Sequence, residues 1–183
     1  MPSPIAHATA GYIIFRASRG GPNEAHERRV GFVPQLLLVT VGLSLLPDLD
    51  VLPGILFGDM QKYHNNFTHS FLFGLGVAIL IGGLVKIVRR TGFSRWFGIS
   101  VMAYEVHVLM DMFTHGRGVM AAWPFVTERI EVPTVLFYGL RWSEGFLTPK
   151  HFITLATELA TALLVVLIAS FLSRSKVFRR SIE

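Results

Sequence analysis

Cysteine is absent from this chain of 183 residues. Its absence excludes disulfide bonds and thiolate metal sites, and it removes the usual indicator of the redox compartment. Charge is also scarce, because Asp, Glu, Lys and Arg together make up only 16% of the residues. Residues 1–15 lack the basic n-region of a secretory signal, so we expect no cleavable signal peptide.

Apolar residues are correspondingly abundant, at 51% of the chain, and the mean hydropathy is +0.50. The 15 Phe and 17 Gly residues are a usage common in membrane helices. The length is that of one domain, so we treat residues 1–183 as a single unit. This composition excludes an ordinary soluble domain.

Four apolar runs predict membrane spans at residues 30–46, 70–88, 96–113 and 152–172. A shorter run at residues 4–15 cannot cross a hydrocarbon core about 30 Å thick at a helical rise of about 1.5 Å per residue. It could be a half-helix, a re-entrant segment or an interfacial helix. The predicted fold is therefore all-α, a polytopic membrane helix bundle of about four transmembrane helices plus a short N-terminal helix.

The basic residues predict the orientation of this bundle. Most of the 17 Lys and Arg residues precede the first run, separate the second from the third, or follow the fourth: Arg16, Arg19, Arg28, Arg29, Lys86, Arg89, Arg90, Arg95, Arg174, Lys176, Arg179 and Arg180. The positive-inside rule places these segments in the cytoplasm. Both ends of the main bundle are then cytoplasmic, and the loops 47–69 and 114–151 face outward. Because topology explains the net charge of +5, we expect no nucleic-acid partner.

Acidic residues and histidines are concentrated in and around the first outward loop. This loop contains Asp48, Asp50, His64 and His69 between two predicted spans. Carboxylates mixed with imidazoles suit Zn²⁺ or Mn²⁺ better than Ca²⁺ or Mg²⁺, which prefer shells made only of oxygen. The sequence therefore indicates a transition-metal site.

The third run adds His107 and Asp111, which lie at positions i and i+4 of one helix face and could reach one metal ion. The predicted topology places them at the same outer level as the loop residues. Glu158 lies six residues into the fourth run, roughly 9 Å deep at helical rise. It is a metal ligand, a general base or the partner of a polar group on another span.

Structural explanations exist for each of these residues taken alone. Asp48 and Asp50 could form a turn at the end of a helix, and His107 with Asp111 could pair two packed helices. His7, in the short N-terminal run, is more often structural in such a setting. Ionisable groups inside a membrane are costly and usually mark a functional site, so we favour a site for the set as a whole.

In combination these motifs resemble the YdjM-like family of bacterial membrane-bound, metal-dependent hydrolases. The resemblance rests on an early histidine, an L-P-D-x-D turn, a H-x-x-x-T-H-S segment, a later H-x-x-x-D helix and a Trp-Pro pair. They are His7, Leu46 to Asp50, His64 to Ser70, His107 to Asp111, and Trp123-Pro124. The chain departs from the family pattern at Asn65, where the family usually has arginine. The resemblance covers about residues 1–125.

The family is similar to zinc-dependent phospholipase C, which holds two or three zinc ions on His and Asp residues from separate helices. The resemblance implies His7, Asp50, His69, His107 and Asp111 as ligands, with Asp48 and His64 as ligands or as groups that support them. Zn²⁺ is then the expected metal, in two or three copies, with Mn²⁺ as the alternative.

Together, these features predict a metal-dependent hydrolase, multi-pass in a bacterial inner membrane, with its active site toward the outer face. Its metal would activate water for attack on a phosphoester or ester of a membrane lipid, with Asp48, His64 and Glu158 as catalytic residues. One alternative is a non-catalytic metal-binding membrane protein, either a transporter or a scaffold. Another is a membrane-anchored binding protein that uses the basic tail 174–180.

Overall fold

The computed structural model describes residues 2–19, 32–90, 92–140 and 148–180. Within these ranges the regular structure is helical, apart from two isolated bridges that pair Thr114 with Phe137 and Val119 with Ile130. The all-α prediction is confirmed for this part of the chain. The α-helices are α1 Pro4–Ser18, α2 Phe32–Leu45, α3 Val51–Phe57, α4 Met60–Tyr63, α5 Phe71–Arg89, α6 Phe93–Met112 and α7 Pro149–Arg180.

Two helical segments are long and apolar enough to cross a membrane, Phe71–Arg89 and Pro149–Ile168. The pair Val33–Leu45 and Pro47–Phe57 has the same property when taken together, although its two parts are bent by 49°. The described residues therefore contain two candidate spans, or three if the bent pair is one span. Four spans and the orientation stay predictions, and Arg28 and Arg29 lie outside the described residues.

Helix α6 is the predicted third span and forms the centre of the bundle. It has 20 residues and packs against α1, α2 and α5. Arg95, Glu105 and Asp111 reduce its apolar character, and it is not among the candidate spans. Its buried face includes Trp96 and Ala103, which form one core with residues of α1 and α2: Ile14, Phe15, Leu36 and Leu43.

Helices α5 and α6 form an antiparallel pair with a short connection. The hydroxyl of Ser70 accepts a hydrogen bond from the Phe73 N–H and so caps the first turn of α5. Gly74 lets the two helices approach closely, since a Cβ atom there would lie 2.5 Å from Tyr104 and 2.4 Å from Glu105. The close approach brings the start of α5 beside the end of α6.

The outward loop 47–69 is more regular than the predicted polar connection. Pro47 ends α2 and starts a 3₁₀ turn, Pro47–Asp50, which is followed by α3, α4 and a second 3₁₀ turn, Phe67–His69. Gly58 and Asn65 have φ angles of 76° and 61° and reverse the chain direction. These reversals return the chain to its starting point, so the two 3₁₀ turns lie side by side.

Helix α1 belongs to the bundle, although its 15 residues are fewer than a full span requires. It packs along α2 at Gly11, where an added Cβ atom would lie 2.4 Å from the Ser44 hydroxyl and 2.7 Å from the Thr40 carbonyl. Only a residue without a side chain permits this distance. The contact lies one helical turn after His7 and fixes the level at which His7 enters the bundle.

We predict that Gly11→Ala separates α1 from α2 and destabilises the protein by about 1–3 kcal/mol, the usual cost of overpacking. Gly42→Ala is the matched control, because nothing lies within 4 Å of an added Cβ atom there. Denaturant unfolding in detergent measures both changes. Equal stability of the two variants would contradict the close packing of α1 on α2.

Candidate metal centre

The structure brings all seven sequence-predicted metal ligands into one cluster. They come from α1, the two 3₁₀ turns, the residue after α4, and α6: His7, Asp48, Asp50, His64, His69, His107 and Asp111. Two overlapping groups within this cluster have ligand atoms that all lie within 4.8 Å of one another. One group is Asp48, His69, His107 and Asp111, and the other is Asp50, His64 and His69.

The ligand atoms of the first group have the spacing of a four-coordinate site. The Nε2 atoms of His69 and His107 lie 3.2 Å apart. His69 Nε2 lies 3.6 Å from Asp48 Oδ1 and 3.2 Å from Asp111 Oδ2. His107 Nε2 lies 3.5 Å from each of the same two oxygens. Ligands bound to zinc at about 2.0–2.1 Å in a tetrahedron are separated by roughly 3.3 Å. These five distances are those expected between neighbouring ligands of one zinc ion.

Backbone contact orients His107 in this group. Its Nδ1 lies 2.7 Å from the carbonyl oxygen of Ser44, near the end of α2. Because a carbonyl oxygen only accepts, we assign the ring proton to Nδ1. The Nε2 atom therefore presents its lone pair to His69, Asp48 and Asp111, as in a metal-bound histidine.

Asp50 orients His69 in the same way. Its Oδ2 lies 3.2 Å from His69 Nδ1 and also accepts a hydrogen bond of 2.8 Å from the Thr68 hydroxyl. A carboxylate behind the distal ring nitrogen is the usual support of a zinc-bound histidine. Tyr104 fixes this turn further, since its hydroxyl donates to the Thr68 carbonyl at 2.6 Å. Asp50 was predicted as a ligand, and in the structure its two oxygens lie beside the rings of His64 and His69.

The buried polar atoms of the cluster fit a bound cation. Within the described part of the chain, both side-chain oxygens of Asp48, both of Asp111 and both ring nitrogens of His7 lack a hydrogen-bond partner. Buried polar groups without partners are rare and costly. Two carboxylates with two neutral imidazoles carry a charge of −2, which a divalent cation would neutralise. The residues present therefore fit a metal ion such as zinc.

His7 lies on the other side of Asp111 from His69. Its ring stacks on the His107 ring with centroids 3.7 Å apart, and its Nε2 is 3.4 Å from Asp111 Oδ1. The two oxygens of Asp111 thus face different histidines.

His64 belongs to the second group, and both its ring and its backbone carbonyl make polar contacts. Its Nδ1 lies 2.6 Å from Asp50 Oδ1, and its Nε2 lies 3.9 Å from Asp48 Oδ1. The guanidinium groups of Arg117 and Arg129 both donate to the His64 carbonyl, at 2.6 and 3.4 Å. Burial lowers the pKa of both arginines, and the charge of Arg117 lowers that of Arg129 further.

Several of the supporting residues were missed by sequence reasoning. Ser44 acts through its backbone, so its residue type carries no signal. Arg129 also donates to the Asn65 carbonyl and the Asn66 side chain, and it holds the left-handed turn in place. For Arg117 and Arg129, arginine in an outward loop that follows a histidine-rich turn is a usable sequence signal.

Glu158, predicted as catalytic, does not join either ligand group. It is buried, and both of its side-chain oxygens accept from the backbone N–H of Ser3, at 3.1 and 2.9 Å. The sequence left three roles open for Glu158: metal ligand, general base, or partner of a polar group on another span. Its contact with the Ser3 N–H corresponds to the third role. His115 is half-exposed, 4.0 Å from Glu131, and Glu105 packs beside Gly74, so neither contributes a ligand atom to these groups.

The sequence profile of the YdjM inner membrane protein family matches residues 1–180. This chain belongs to the YdjM family. Inner membrane protein YbcI of Escherichia coli (strain K12) is 34% identical over 104 residues, which are 55% of this chain and 60% of YbcI. No solved structure matches the chain. The predicted family is confirmed, and this YdjM family member is an inner membrane protein.

The ligand set of this YdjM family member can be tested by its metal content. We expect the protein purified in detergent to contain one to three equivalents of zinc or manganese, and the His107→Ala/Asp111→Ala double variant to lose them. His115→Ala is the control and should keep the metal. Elemental analysis gives the count. Retained metal in the double variant would refute the assignment of these ligands.

The second prediction separates orienting residues from ligands. Asp50→Asn keeps the shape of the side chain but weakens its hold on the His64 and His69 rings, so we expect metal affinity to fall about 10- to 100-fold. Asp59→Asn is the matched control, since Asp59 accepts from the Lys62 backbone in an exposed turn. Competition with a chromophoric chelator measures both affinities. An affinity unchanged by Asp50→Asn would contradict the orienting role.

Proposed function

We propose that this chain is a metal-dependent hydrolase that cleaves a phosphoester or ester of a membrane lipid at the outer face of the inner membrane. The observation that carries the proposal is the buried group formed by Asp48, His69, His107 and Asp111, whose ligand atoms lie 3.2–3.6 Å apart in five pairs. Two histidines and two carboxylates that converge at this spacing suit a catalytic divalent metal.

Zinc is the metal that the donor set favours, because nitrogen and oxygen donors in a tetrahedron are typical of zinc sites. A bound zinc would act as a Lewis acid and lower the pKa of a water molecule toward about 7. Manganese is the alternative. His7 with Asp111 on one side, and Asp50 with His64 on the other, offer donors for a second or third ion.

Among this chain's own residues, His64 is best placed to move a proton. Asp50 lies 2.6 Å from its Nδ1, which holds the ring proton on that nitrogen and leaves Nε2 as the basic atom. Nε2 points toward Asp48, 3.9 Å away. Asp48 is also the most exposed of the four tetrahedral residues, with 12% of its side chain accessible. Substrate therefore approaches from the side of Asp48 and His64.

A lipid substrate is supported by an apolar cavity that reaches the cluster at Asp50, the partner of His64. It has a volume of about 400 Å³. Asp50 and Thr68 lie in its wall, and the other lining residues are mainly apolar or aromatic, among them Leu46, Phe73 and Val77. Cavities of this size with few polar groups are typical of sites for small apolar ligands. The hydrocarbon part of a lipid would fit here, with its polar part toward the histidines.

The proposal includes a four-span topology with both ends of the main bundle in the cytoplasm. The ligands come from the start of α1, the residues after α2, the residues before α5 and the end of α6. In an alternating bundle these four places lie at the same level. The positive-inside rule puts that level at the outer face. The active site would then face the periplasm, within reach of lipid headgroups.

The second candidate function is a non-catalytic metal site that stabilises the bundle. One observation favours it: four protein ligands fill a tetrahedron, as in structural zinc sites, whereas catalytic zinc sites keep an open position. His7 and His64 are then buried neighbours without a part in chemistry. Metal-dependent turnover distinguishes the two candidates.

We predict that the metal-loaded protein in lipid nanodiscs hydrolyses a long-chain phosphoester or ester lipid in preference to a short-chain analogue of the same bond. His107→Ala should abolish turnover, and His64→Ala should lower kcat about 10²- to 10⁴-fold, the usual contribution of a general base. His115→Ala should behave like the wild type. Bound metal without turnover on either substrate class would leave the structural role as the explanation.

A further inference from the structure

We propose that Glu158 is a positioning residue that fixes the start of α1 and thereby places His7 in the metal centre. The inference rests on the proposed metal site and assigns Glu158 a part other than proton transfer. It is carried by a chain of three contacts that links α7 to the His7 ring.

The first contact joins α7 to the residue that precedes α1. Both oxygens of Glu158 accept from the Ser3 N–H, at 3.1 and 2.9 Å, and both residues are buried. Ser3 is the N-cap of α1, yet its hydroxyl makes no capping hydrogen bond. The carboxylate of another helix therefore satisfies the backbone at this helix start, where negative charge is also favoured by the helix dipole.

The second contact joins Ser3 to His7. The Ser3 carbonyl accepts from the backbone N–H groups of Ala6 and His7, at 3.0 and 3.3 Å. Ser3 thus donates its N–H to the Glu158 carboxylate, and its carbonyl accepts from the His7 N–H. A shift of Ser3 moves His7 with it.

The third contact is that of the His7 ring with the metal centre. The ring stacks on His107 at 3.7 Å and directs Nε2 toward Asp111 Oδ1. Neither ring nitrogen has a hydrogen-bond partner among the described residues, so the ring lacks a hydrogen bond like the one from His107 to the Ser44 carbonyl. Its placement depends on the backbone of α1, which Gly11 fixes at one end of the turn and Ser3 at the other.

Hydrogen exchange of the metal-free protein in detergent tests the first part of this chain. We expect the Ala6 and His7 amides to be protected in the wild type and to exchange at least 10-fold faster in Glu158→Ala. Glu158→Gln keeps an acceptor oxygen and should restore most of the protection. Thr161→Ala is the matched control, because its hydroxyl bonds only within α7 in the observed contacts, to the Thr157 carbonyl.

The same contact can be removed from the other side without a change in α7. Ser3→Pro deletes the N–H donor, and the φ of −73° at Ser3 is compatible with proline. Ser3→Ala keeps the donor and is its control. We expect Ser3→Pro to reproduce the faster exchange and Ser3→Ala not to. These variants keep the test decisive if Glu158→Ala does not fold.

Cobalt loading tests whether the contact acts on the metal centre. We expect Glu158→Ala, Ser3→Pro and His7→Ala to change the visible cobalt spectrum alike, and the double variant Glu158→Ala/His7→Ala to change it no further. Additive changes, or a wild-type spectrum in Glu158→Ala, would overturn the inference. Unchanged exchange in Glu158→Ala and Ser3→Pro would overturn it as well. An absence of cobalt in every variant, the wild type included, would instead refute the metal centre, and with it this role for Glu158.

Discussion

Two imidazole nitrogens that face each other across 3.2 Å, with a carboxylate oxygen on either side, constrain the rest of this structure. The Ser44 carbonyl and the Asp50 carboxylate assign the ring protons to the far sides of His107 and His69. Both near nitrogens then present lone pairs to one another and to negative oxygen atoms. Such an arrangement is stable only with positive charge at its centre, which a bound divalent cation would supply.

Close helix packing at two glycines holds the side chains of this cluster at their observed distances. Gly11 lets α1 approach α2 at Ser44, the residue whose carbonyl orients His107, and Gly74 lets α5 approach α6 beside Tyr104. Larger residues at either position would move a ligand-bearing helix away from the centre. The glycines that are typical of membrane helices thus set the distances among the ligands as well as the packing of the bundle.

Sequence reasoning predicted which side chains come together better than it predicted the groups that orient them. The i, i+4 spacing of His107 and Asp111 and the dense outward loop were sufficient to predict which side chains meet, because ionisable groups are scarce elsewhere in this apolar chain. Ser44 contributes a backbone oxygen, which no residue pattern reveals. Glu158 was recognised as unusual, but its partner is a backbone amide 155 residues away, and only the folded structure shows that contact.

The fold was predictable to a similar extent. Helix limits follow the apolar runs closely for α2, α5 and α6, since proline, serine and glycine punctuate them. The short helices of the loop 47–69 were missed because their apolar stretches are too brief to show a period. The number of spans depends on the bent pair and on α6, in which Arg95, Glu105 and Asp111 reduce the apolar character.

The contact between Ser3 and Glu158 also has a consequence for biogenesis. Glu158, whose carboxylate holds the start of α1, is synthesised 155 residues after its partner Ser3. Until α7 has been inserted beside α1, the N-terminal segment lacks this anchor. The position of His7 in the centre is therefore complete only after α7 has joined the bundle.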